Sequence, residues 1–382
     1  MKRKKNTNTL VIILLLSFIS LSSCNNDSWT TKEDDNILTN TWKDNPYKLN
    51  VIYFVPNDID TVQNYRKRLS NILLQLQKFY GDNLQKAGYG YKSFGLDLLS
   101  DTKVNIITIK GEKGKTAYSY DEGYPAVKSE IDNYFLNNPT AKKSEHILVI
   151  IPSYSSDPND PGGPPFYGVG TTCYALDYPG MDVDKLGNPG AQGDLATKWI
   201  GGLAHELGHG LNFPHDKEHK TDQPTLGTAL MGAGNYTYGK EPIFLTKAES
   251  AVFSTSQPFT TVKKSNWYTP VQNNLTKLKG EFINNKIIIS GKYTSSLPVS
   301  VIIVYHDTNA DDEDNDYQAL AWDTSPLQDH TFSVECSLND FYNLSGKYEL
   351  RLEFYHENGE LETHKFKYQF DNGIPNISVI DF

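Results

Sequence analysis

The apolar residues in the first two thirds of the chain follow two alternating patterns. Short runs rich in valine and isoleucine are typical of buried strands, and apolar residues three or four positions apart are typical of amphipathic helices. These patterns predict strands over residues 49–55, 104–109 and 146–151, and helices over residues 61–80 and 125–136. Strands that alternate with helices form a mostly parallel sheet covered by helices. We therefore predict an α/β (α+β) domain with a mixed, mostly parallel sheet over residues 47–268.

The pattern changes after Pro270. The later segments are short, alternate between apolar and polar residues and are separated by turn residues, as antiparallel strands are. They cover residues 286–290, 299–305, 331–336, 348–355 and 364–370. This spacing predicts an all-β, immunoglobulin-like sandwich domain over residues 271–382.

Residues 307–316, between two of these predicted strands, are rich in aspartate. Asp307, Asn309 and Asp311 alternate as the ligands of a calcium loop do. An EF-hand also needs a glycine and a closing glutamate, and the chain has Asp312 and Gln318 in those places. We therefore expect a solvated hairpin tip here rather than a calcium site.

A further helical pattern ends in the sequence AHELGHGLNFPHD, residues 204–216. Each helical residue advances by about 100°, so His205 and His209 lie on one face. Asp194 is expected to cap the start of this helix. The opposite face is apolar and is predicted to pack against a core; it comprises Trp199, Ile200, Leu203, Leu207 and Leu211. Three glycines flank the histidines and are expected to leave space beside them: Gly201, Gly202 and Gly208.

The histidines of this helix are candidates for metal binding. Two imidazoles on one face can bind one zinc ion, and Glu206 between them can reach a water on the metal. Asn212 tolerates left-handed backbone and Pro214 cannot continue a helix, so the chain can turn back there. Three histidine nitrogens and one open position are typical of a catalytic zinc site. The candidate zinc ligands are His205, His209 and His215.

This motif resembles that of the metzincin zinc metalloproteases, with Asn212 where the family has glycine. Glycine and asparagine are the residues that best accept this backbone turn. The resemblance implies a methionine in a tight turn beneath the metal, and Met231 in a glycine-rich segment matches it. Some members carry a tyrosine two residues later, where this chain has Ala233. Tyr236 and Tyr238 are therefore the candidate transition-state stabilisers.

The resemblance also implies a function, that of a zinc-dependent endopeptidase. Zinc would lower the pKa of a bound water to about 7, and Glu206 as general base would take its proton and pass it to the leaving amine. Residues 166–175 would form an edge strand along the cleft that pairs with an extended substrate through backbone hydrogen bonds.

Three alternatives remain open at this point. Thr246 and Glu249 form a capping box at the start of a helix, and Glu249 could be the third ligand of a thermolysin-like peptidase. The protein could instead be a non-catalytic surface adhesin or glycan-binding lipoprotein. It could also be an ordinary α/β domain in which the histidines are incidental.

The first 23 residues have the pattern of a secretory signal peptide. A basic start is followed by an apolar run that is too short for a membrane span. The run ends at a sequence that resembles the bacterial lipobox, in which Cys24 is the lipid anchor. We therefore expect an outer membrane lipoprotein that faces the periplasm or the cell surface, with residues 24–46 as a tether.

The net charge and the cysteines limit the classes of binding partner and the disulfides that we expect. The formal net charge is −10, which disfavours nucleic acid as a partner. Cys173 and Cys336 lie in different predicted domains, so no disulfide framework is expected. We expect a monomer that binds a protein or peptide substrate and contacts the membrane through Cys24.

Overall fold

The computed structural model describes residues 42–157, 159–308 and 316–382. Within them the helices are α1 (Tyr65–Lys86), α2 (Tyr124–Asn137), α3 (Ala191–Gly210), α4 (Gln223–Leu226) and α5 (Lys247–Thr255). None of the helices in these ranges has both the length and the apolar character needed to cross a membrane. The predicted signal peptide, Cys24 and most of the predicted tether lie outside the described residues, as does most of the aspartate-rich run.

The strands of the described ranges number from β1 to β17. They are β1 (Asn50–Val55), β2 (Leu98–Ser100), β3 (Lys103–Val104), β4 (Ile107–Lys110), β5 (Ile147–Pro152), β6 (Gly168–Val169), β7 (Thr172–Asp177), β8 (Thr228–Ala229), β9 (Ile243–Phe244), β10 (Asn273–Ile283), β11 (Lys286–Ser295), β12 (Val299–Asp307), β13 (Leu320–Thr324), β14 (Thr331–Ser337), β15 (Gly346–His356), β16 (Leu361–Asp371) and β17 (Ile374–Pro375).

The first large sheet has the strand order β4-β1-β5-β7-β6. Its first four strands are parallel, and β6 is antiparallel to β7 at the edge. All residues of β1, β5 and β7 are buried, because α2 covers one face of the sheet and α1 and α3 cover the other. Parallel strands covered on both faces are continuously apolar, which is the pattern in the sequence. The predicted mostly parallel sheet is confirmed.

Helix α3 packs on this sheet with the face that the sequence predicts. Its apolar stripe is buried in the same core as α1 and α5. The stripe comprises Trp199, Ile200, Leu203, Leu207 and, just beyond the helix end, Leu211. Because this face is fixed against the core, His205 and His209 are held on the opposite face.

The second part of the chain is antiparallel. We call residues 42–268 the α/β region and residues 271–382 the β region. The β region has a sheet of order β10-β11-β14 and a sheet of order β13-β12-β15-β16-β17, and residues of both sheets share one apolar core. An antiparallel β part after the α/β part is thus confirmed, and its immunoglobulin-like connectivity stays a prediction.

Strand β12 joins the two regions because both of its faces are buried. Successive side chains of a strand point to opposite faces. Ile302 and Val304 lie in the core between the two β sheets. Val301, Ile303 and Tyr305 lie in the core that α1, α3 and α5 form. The described residues also belong to one unit of contacts, and the predicted domain boundaries at residues 268 and 271 stay a prediction.

Three local predictions are wrong in their bounds. Helix α1 begins at Tyr65 rather than at residue 61, because Asn64 is left-handed (φ 56°) and ends the preceding turn. The strand predicted over residues 104–109 is divided between β3 and β4, which pair with β2 and β1 respectively. Asp194 does not cap α3: the helix begins at Ala191 after Gly190, whose φ is 87°, and Asp194 lies in the first turn.

Candidate metal centre

The end of α3 returns the chain toward the two helical histidines. Asn212 has φ 69°; its N–H donates to His209 O at 2.9 Å, and the N–H of Phe213 donates to Gly208 O at 3.2 Å. These two bonds form the Schellman motif, which needs a left-handed residue at the position of Asn212. The reversal brings His215 back to the helix. One ring nitrogen from each of His205, His209 and His215 lies within 4.8 Å of the other two.

Each of the three imidazoles is oriented through its Nδ1 by a different segment of the chain. Nδ1 of His205 is 2.8 Å from Leu230 O, and Nδ1 of His209 is 2.8 Å from Phe213 O. A peptide oxygen only accepts hydrogen bonds, so both Nδ1 atoms carry the proton. Nδ1 of His215 donates to Asp316 Oδ1 at 2.5 Å. The remaining nitrogen of each ring is Nε2, which keeps a lone pair when a neutral imidazole carries its proton on Nδ1.

These Nε2 atoms have no proton donor among the described residues. Nε2 of His205 and Nε2 of His209 face each other at 3.2 Å, and Nε2 of His215 is buried without a hydrogen-bond partner. Burial, followed by the neighbouring histidines, lowers the pKa of His205 to about 3 and that of His209 to about 4. These two rings are therefore neutral near pH 7. Neutral imidazoles whose lone pairs face one another fit a zinc ion, which takes nitrogen ligands of this kind.

Met231 lies directly beneath α3. A Cβ added at Gly208 would be only 2.2 Å from Met231 Sδ, so glycine is needed for the helix to approach the methionine this closely. Met231 O accepts the N–H of Asp216 at 3.3 Å, and Leu230 before it holds His205. The segment around Met231 thus supports the ring of His205 and the segment of His215. Gly208 was expected to leave open space beside the histidines, but the structure shows that this position is closely packed against Met231.

Glu249 lies elsewhere than at the histidine cluster. Its Oε1 accepts the N–H of Met231 at 3.4 Å, and its own N–H donates to Thr246 Oγ1 at 3.1 Å. Burial raises the pKa of this carboxyl well above its usual range. Among the described residues, the one group that could hold a metal contains His215 and not Glu249.

Glu206 is buried on the face of α3 that carries the histidines. Its side chain makes no ion pair in the described structure, and Oε2 has no hydrogen-bond partner there. Burial raises the pKa of Glu206 to about 8. A carboxyl group with a pKa near neutrality can both accept and donate a proton at physiological pH.

The structure separates the two tyrosines singled out from the sequence. Tyr238 is buried and its ring packs against Phe79 at a centroid distance of 5.4 Å. Tyr236 is 70% exposed. A third tyrosine, Tyr317, stacks on the ring of His215 with centroids 3.6 Å apart. Burial raises the pKa of Tyr317, and Tyr236 and Glu206 add to this electrostatically.

Asp316 and Tyr317 are site residues that the sequence did not indicate. The run over 307–316 was expected to be a solvated hairpin tip, but its last residue contacts His215 and Arg351. Asp307 at the other end is buried as well. Residues 309–315 lie outside the described ranges. The spacing of charges within the run carries no signal for a partner on another segment.

The edge strand β6 runs beside the histidines. A Cβ added at Gly168 would be 2.3 Å from His209 Cβ, so the backbone of β6 touches the helix at a metal-site residue. Strand β6 pairs on one side with β7 and is the last strand of its sheet. The segment predicted as one edge strand over 166–175 is thus a hairpin whose outer strand is β6.

A protein with this fold and this histidine cluster is a zinc metalloendopeptidase, as the metzincin-like motif predicts. Comparison with solved structures identifies the family within this class of enzyme. The chain shares 36% identity with OgpA from Akkermansia muciniphila. The wild-type enzyme in two crystal forms gives TM-scores of 0.82 and 0.81, with 88% and 89% of this chain and 98% of that chain covered. No protein-family model and no curated protein matches.

A third structure is catalytically inactive OgpA in complex with an O-glycopeptide (glycodrosocin) substrate. It gives a TM-score of 0.83 at 36% identity and covers 88% of this chain and 97% of that chain. The chain belongs to the OgpA family. Membership of this family overturns the alternatives of a non-catalytic adhesin and of incidental histidines.

Proposed function

We propose that this protein is an endopeptidase that cleaves O-glycosylated polypeptides. His205, His209 and His215 hold one zinc ion, and Glu206 is the general base. The observation that carries this proposal is the convergence of three imidazoles, each hydrogen-bonded through Nδ1, beside a buried glutamate. The chain also covers 97% of an OgpA chain that was crystallised with an O-glycopeptide substrate.

The residues of the site have distinct tasks in this reaction. When bound, zinc acts as a Lewis acid and lowers the pKa of a water molecule to about 7. Glu206 accepts a proton from the attacking water as the bond from water oxygen to the peptide carbon forms. Glu206 then donates this proton to the amine nitrogen as the peptide C–N bond breaks. The carboxyl returns to its starting charge.

The substrate backbone binds along β6. An edge strand has free N–H and C=O groups, and an extended peptide can pair with them whatever its side chains are. Gly168 in β6 lies against His209, so a peptide paired with this strand passes the histidines. This arrangement supports an endopeptidase, which needs room for the chain on both sides of the cleaved bond.

Exposed tyrosines on and near the ring that stacks on His215 support binding of the glycan. Tyr120, Tyr236 and Tyr317 are each 47–70% exposed, and Tyr120 and Tyr236 both interact electrostatically with Tyr317. A tyrosine offers an apolar ring face with a polar hydroxyl at its edge. This combination suits a sugar, whose faces carry C–H groups and whose edges carry hydroxyls.

The test compares one peptide with and without a glycan on a single serine or threonine. We expect the zinc-loaded protein to cleave the glycosylated form and to leave the bare form intact. Glu206→Gln should keep zinc, since Glu206 is not a ligand, and should lower cleavage by about 10²–10⁴-fold. Glu335→Gln, at a surface pair with Lys286, is the matched control. Equal cleavage of both peptides would remove the glycan from the proposal, and zinc loss in Glu206→Gln would remove the role of Glu206.

We also propose that Cys24 carries a lipid that anchors the protein to the bacterial envelope. The sequence around Cys24, which resembles a lipobox after a signal peptide, supports this. Cys24→Ala should move the protein from the envelope fraction to the soluble fraction and leave peptidase activity unchanged. Unchanged envelope association of this variant would contradict the anchor.

A further inference from the structure

The segment that carries His215 is hydrogen-bonded to the β region as well as to the α/β region. We call residues 212–220 the ligand loop. Besides the bond of His215 described below and one from Lys217 Nζ to Gln318 Oε1 at 2.7 Å, five hydrogen bonds join this loop to the β region along its whole length. They are Tyr355 Oη–H to Asn212 O at 3.1 Å, Lys217 N–H to Ala319 O at 2.8 Å, Tyr342 Oη–H to Glu218 Oε1 at 3.1 Å, His219 Nε2–H to Ala321 O at 3.0 Å, and Lys220 N–H to Asp340 O at 2.9 Å.

His215 itself is fixed by two neighbouring residues of the β region. Asp316 Oδ1 accepts from His215 Nδ1 at 2.5 Å, and the ring of Tyr317 stacks on the imidazole. Asp316 is held in turn, because its Oδ2 accepts from Arg351 Nη2 at 3.3 Å. The side chains of His215, Asp316 and Arg351 are all 10–16% exposed, so solvent screens this chain of contacts only weakly.

This support differs in kind from that of the two helical histidines. His205 and His209 donate to peptide oxygens of the α/β region, and their backbone is part of α3. His215 has no helix around it, and its hydrogen-bond partner is a carboxylate 101 residues away in sequence. Loss of that carboxylate would remove the hydrogen bond that sets the rotation of the ring and leave only the stacking of Tyr317. A partner that orients a metal-binding histidine and raises its basicity typically changes metal affinity by about 10–100-fold.

We propose that the β region completes the metal centre: Asp316, held by Arg351, is the positioning residue that orients His215 toward the metal. This inference rests on the proposed function, since it takes His215 as a zinc ligand. The β region is then a structural part of the site rather than a separate module joined to a self-sufficient peptidase.

The decisive measurement is zinc affinity of the full chain, determined by competition with a chelator. Asp316→Ala should weaken zinc binding by about 10–100-fold. Asp316→Asn keeps an oxygen that can accept from Nδ1 but has no charge, so its loss should be smaller. Asp323→Asn is the matched control, because Asp323 also joins the β region to the α/β region, through Tyr89 and Lys247, but contacts no histidine. This control should bind zinc as the wild type does.

A second readout separates orientation from general damage to the fold. Cobalt substituted for zinc gives a visible spectrum that depends on the arrangement of the ligands, so the spectrum should change in Asp316→Ala and stay the same in Asp323→Asn. Thermal unfolding of the metal-free variants checks that they fold. If Asp316→Ala fails to fold, Asp316→Asn carries the test alone.

Zinc affinity and cobalt spectrum equal to those of the wild type in a folded Asp316 variant would overturn the proposal. Such a result would leave the proposed function intact, because the wild type would still bind zinc. Absence of zinc binding by the wild type would instead remove the proposed function, and this inference with it.

Discussion

Histidines lie on or against helix α3 at two places, and the two places differ in how the ring nitrogens are used. On one side, the three histidines of the metal centre use Nδ1 for hydrogen bonds and leave Nε2 without a donor. Near the end of the same helix, His146 has both nitrogens engaged: Nδ1 is 2.7 Å from Gly210 O, and Nε2 contacts the hydroxyl of Tyr268. The three histidines can bind a metal. His146 instead connects α3 to the end of the α/β region through hydrogen bonds.

The pKa does not distinguish the two places. Burial lowers the pKa of His146 to about 4, which is close to the values for His205 and His209. A ring nitrogen without a hydrogen-bond partner is not enough to identify a metal site either. His306 in the β region also has a buried Nε2 without a partner. Convergence is what marks the site: among the described residues only the triad brings three such atoms together.

The largest expected difference between the metal centre and His146 is the effect of a substitution on zinc affinity. His215→Ala should weaken zinc binding by more than the roughly 100-fold limit expected for loss of a ligand's hydrogen-bond partner, because a ligand itself is lost. His146→Gln should bind zinc as the wild type does. Chelator competition on both variants makes the measurement. Retained zinc in His215→Ala would mean that the third ligand is elsewhere.

The next effect concerns stability and its dependence on pH. His146→Gln should lower the free energy of unfolding by about 1–3 kcal/mol, since it disturbs a buried hydrogen-bond pair. Because the pKa of His146 is lower in the folded chain than its ordinary value of 6.5, the unfolded chain takes up the proton first. Stability should therefore fall as the pH decreases from about 6.5 to about 4.

This pH effect is isolated by comparing the variant with the wild type in urea, both without metal. The fall in stability over that range should be less steep in His146→Gln. Parallel curves for the two proteins would show that His146 does not titrate with unfolding.

A smaller effect is expected at Glu249. Glu249→Ala removes the acceptor for the Met231 N–H and alters the start of α5, so it should cost about 0.5–2 kcal/mol of stability, as loss of a cap does. Zinc affinity should change far less than in His215→Ala. The converse pattern, loss of zinc in Glu249→Ala and retention in His215→Ala, would restore the thermolysin-like arrangement.

The smallest effect is expected at the turn after α3. Asn212→Gly keeps access to left-handed backbone and should change stability and zinc affinity little. Asn212→Val should cost more than Asn212→Gly, by roughly 1–2 kcal/mol, because a side chain that is branched at Cβ is strained at φ 69°. Thermal unfolding and zinc titration of the pair make this comparison. Equal behaviour of the two variants would mean that the turn does not need this conformation.

The sequence revealed the parts of the site that are local. Helical spacing identifies His205 and His209, and an asparagine before a proline identifies the turn that returns His215. The stripe of apolar residues on α3 follows from the same periodicity. In each case the information lies within one or two turns of helix, so backbone geometry alone relates the residues.

The sequence did not reveal the parts of the site that depend on the packing of the β region against the α/β region. Asp316 and Tyr317 reach His215 only because β12 and its neighbours pack against the α/β region, and no local pattern encodes that contact. The start of α3 was missed for a different reason. Gly190 precedes the helix without a side-chain cap, so the usual signal of a polar capping residue is absent, and the first such residue in the sequence pattern is Asp194, which lies inside the helix.

The distance in sequence between His215 and Asp316 has a consequence for the order in which the enzyme becomes able to cut proteins. A chain grows from its N-terminus at about 5–20 residues per second, and Arg351 follows His215 by more than one hundred residues. The site is therefore incomplete for a time on the order of ten seconds after His215 has been made. During that interval His215 lacks the partner that orients it, so we expect zinc binding to be weaker by about 10–100-fold, as in Asp316→Ala. We expect full zinc affinity only when the segments that carry Asp316 and Arg351 have been added and have folded against the α/β region.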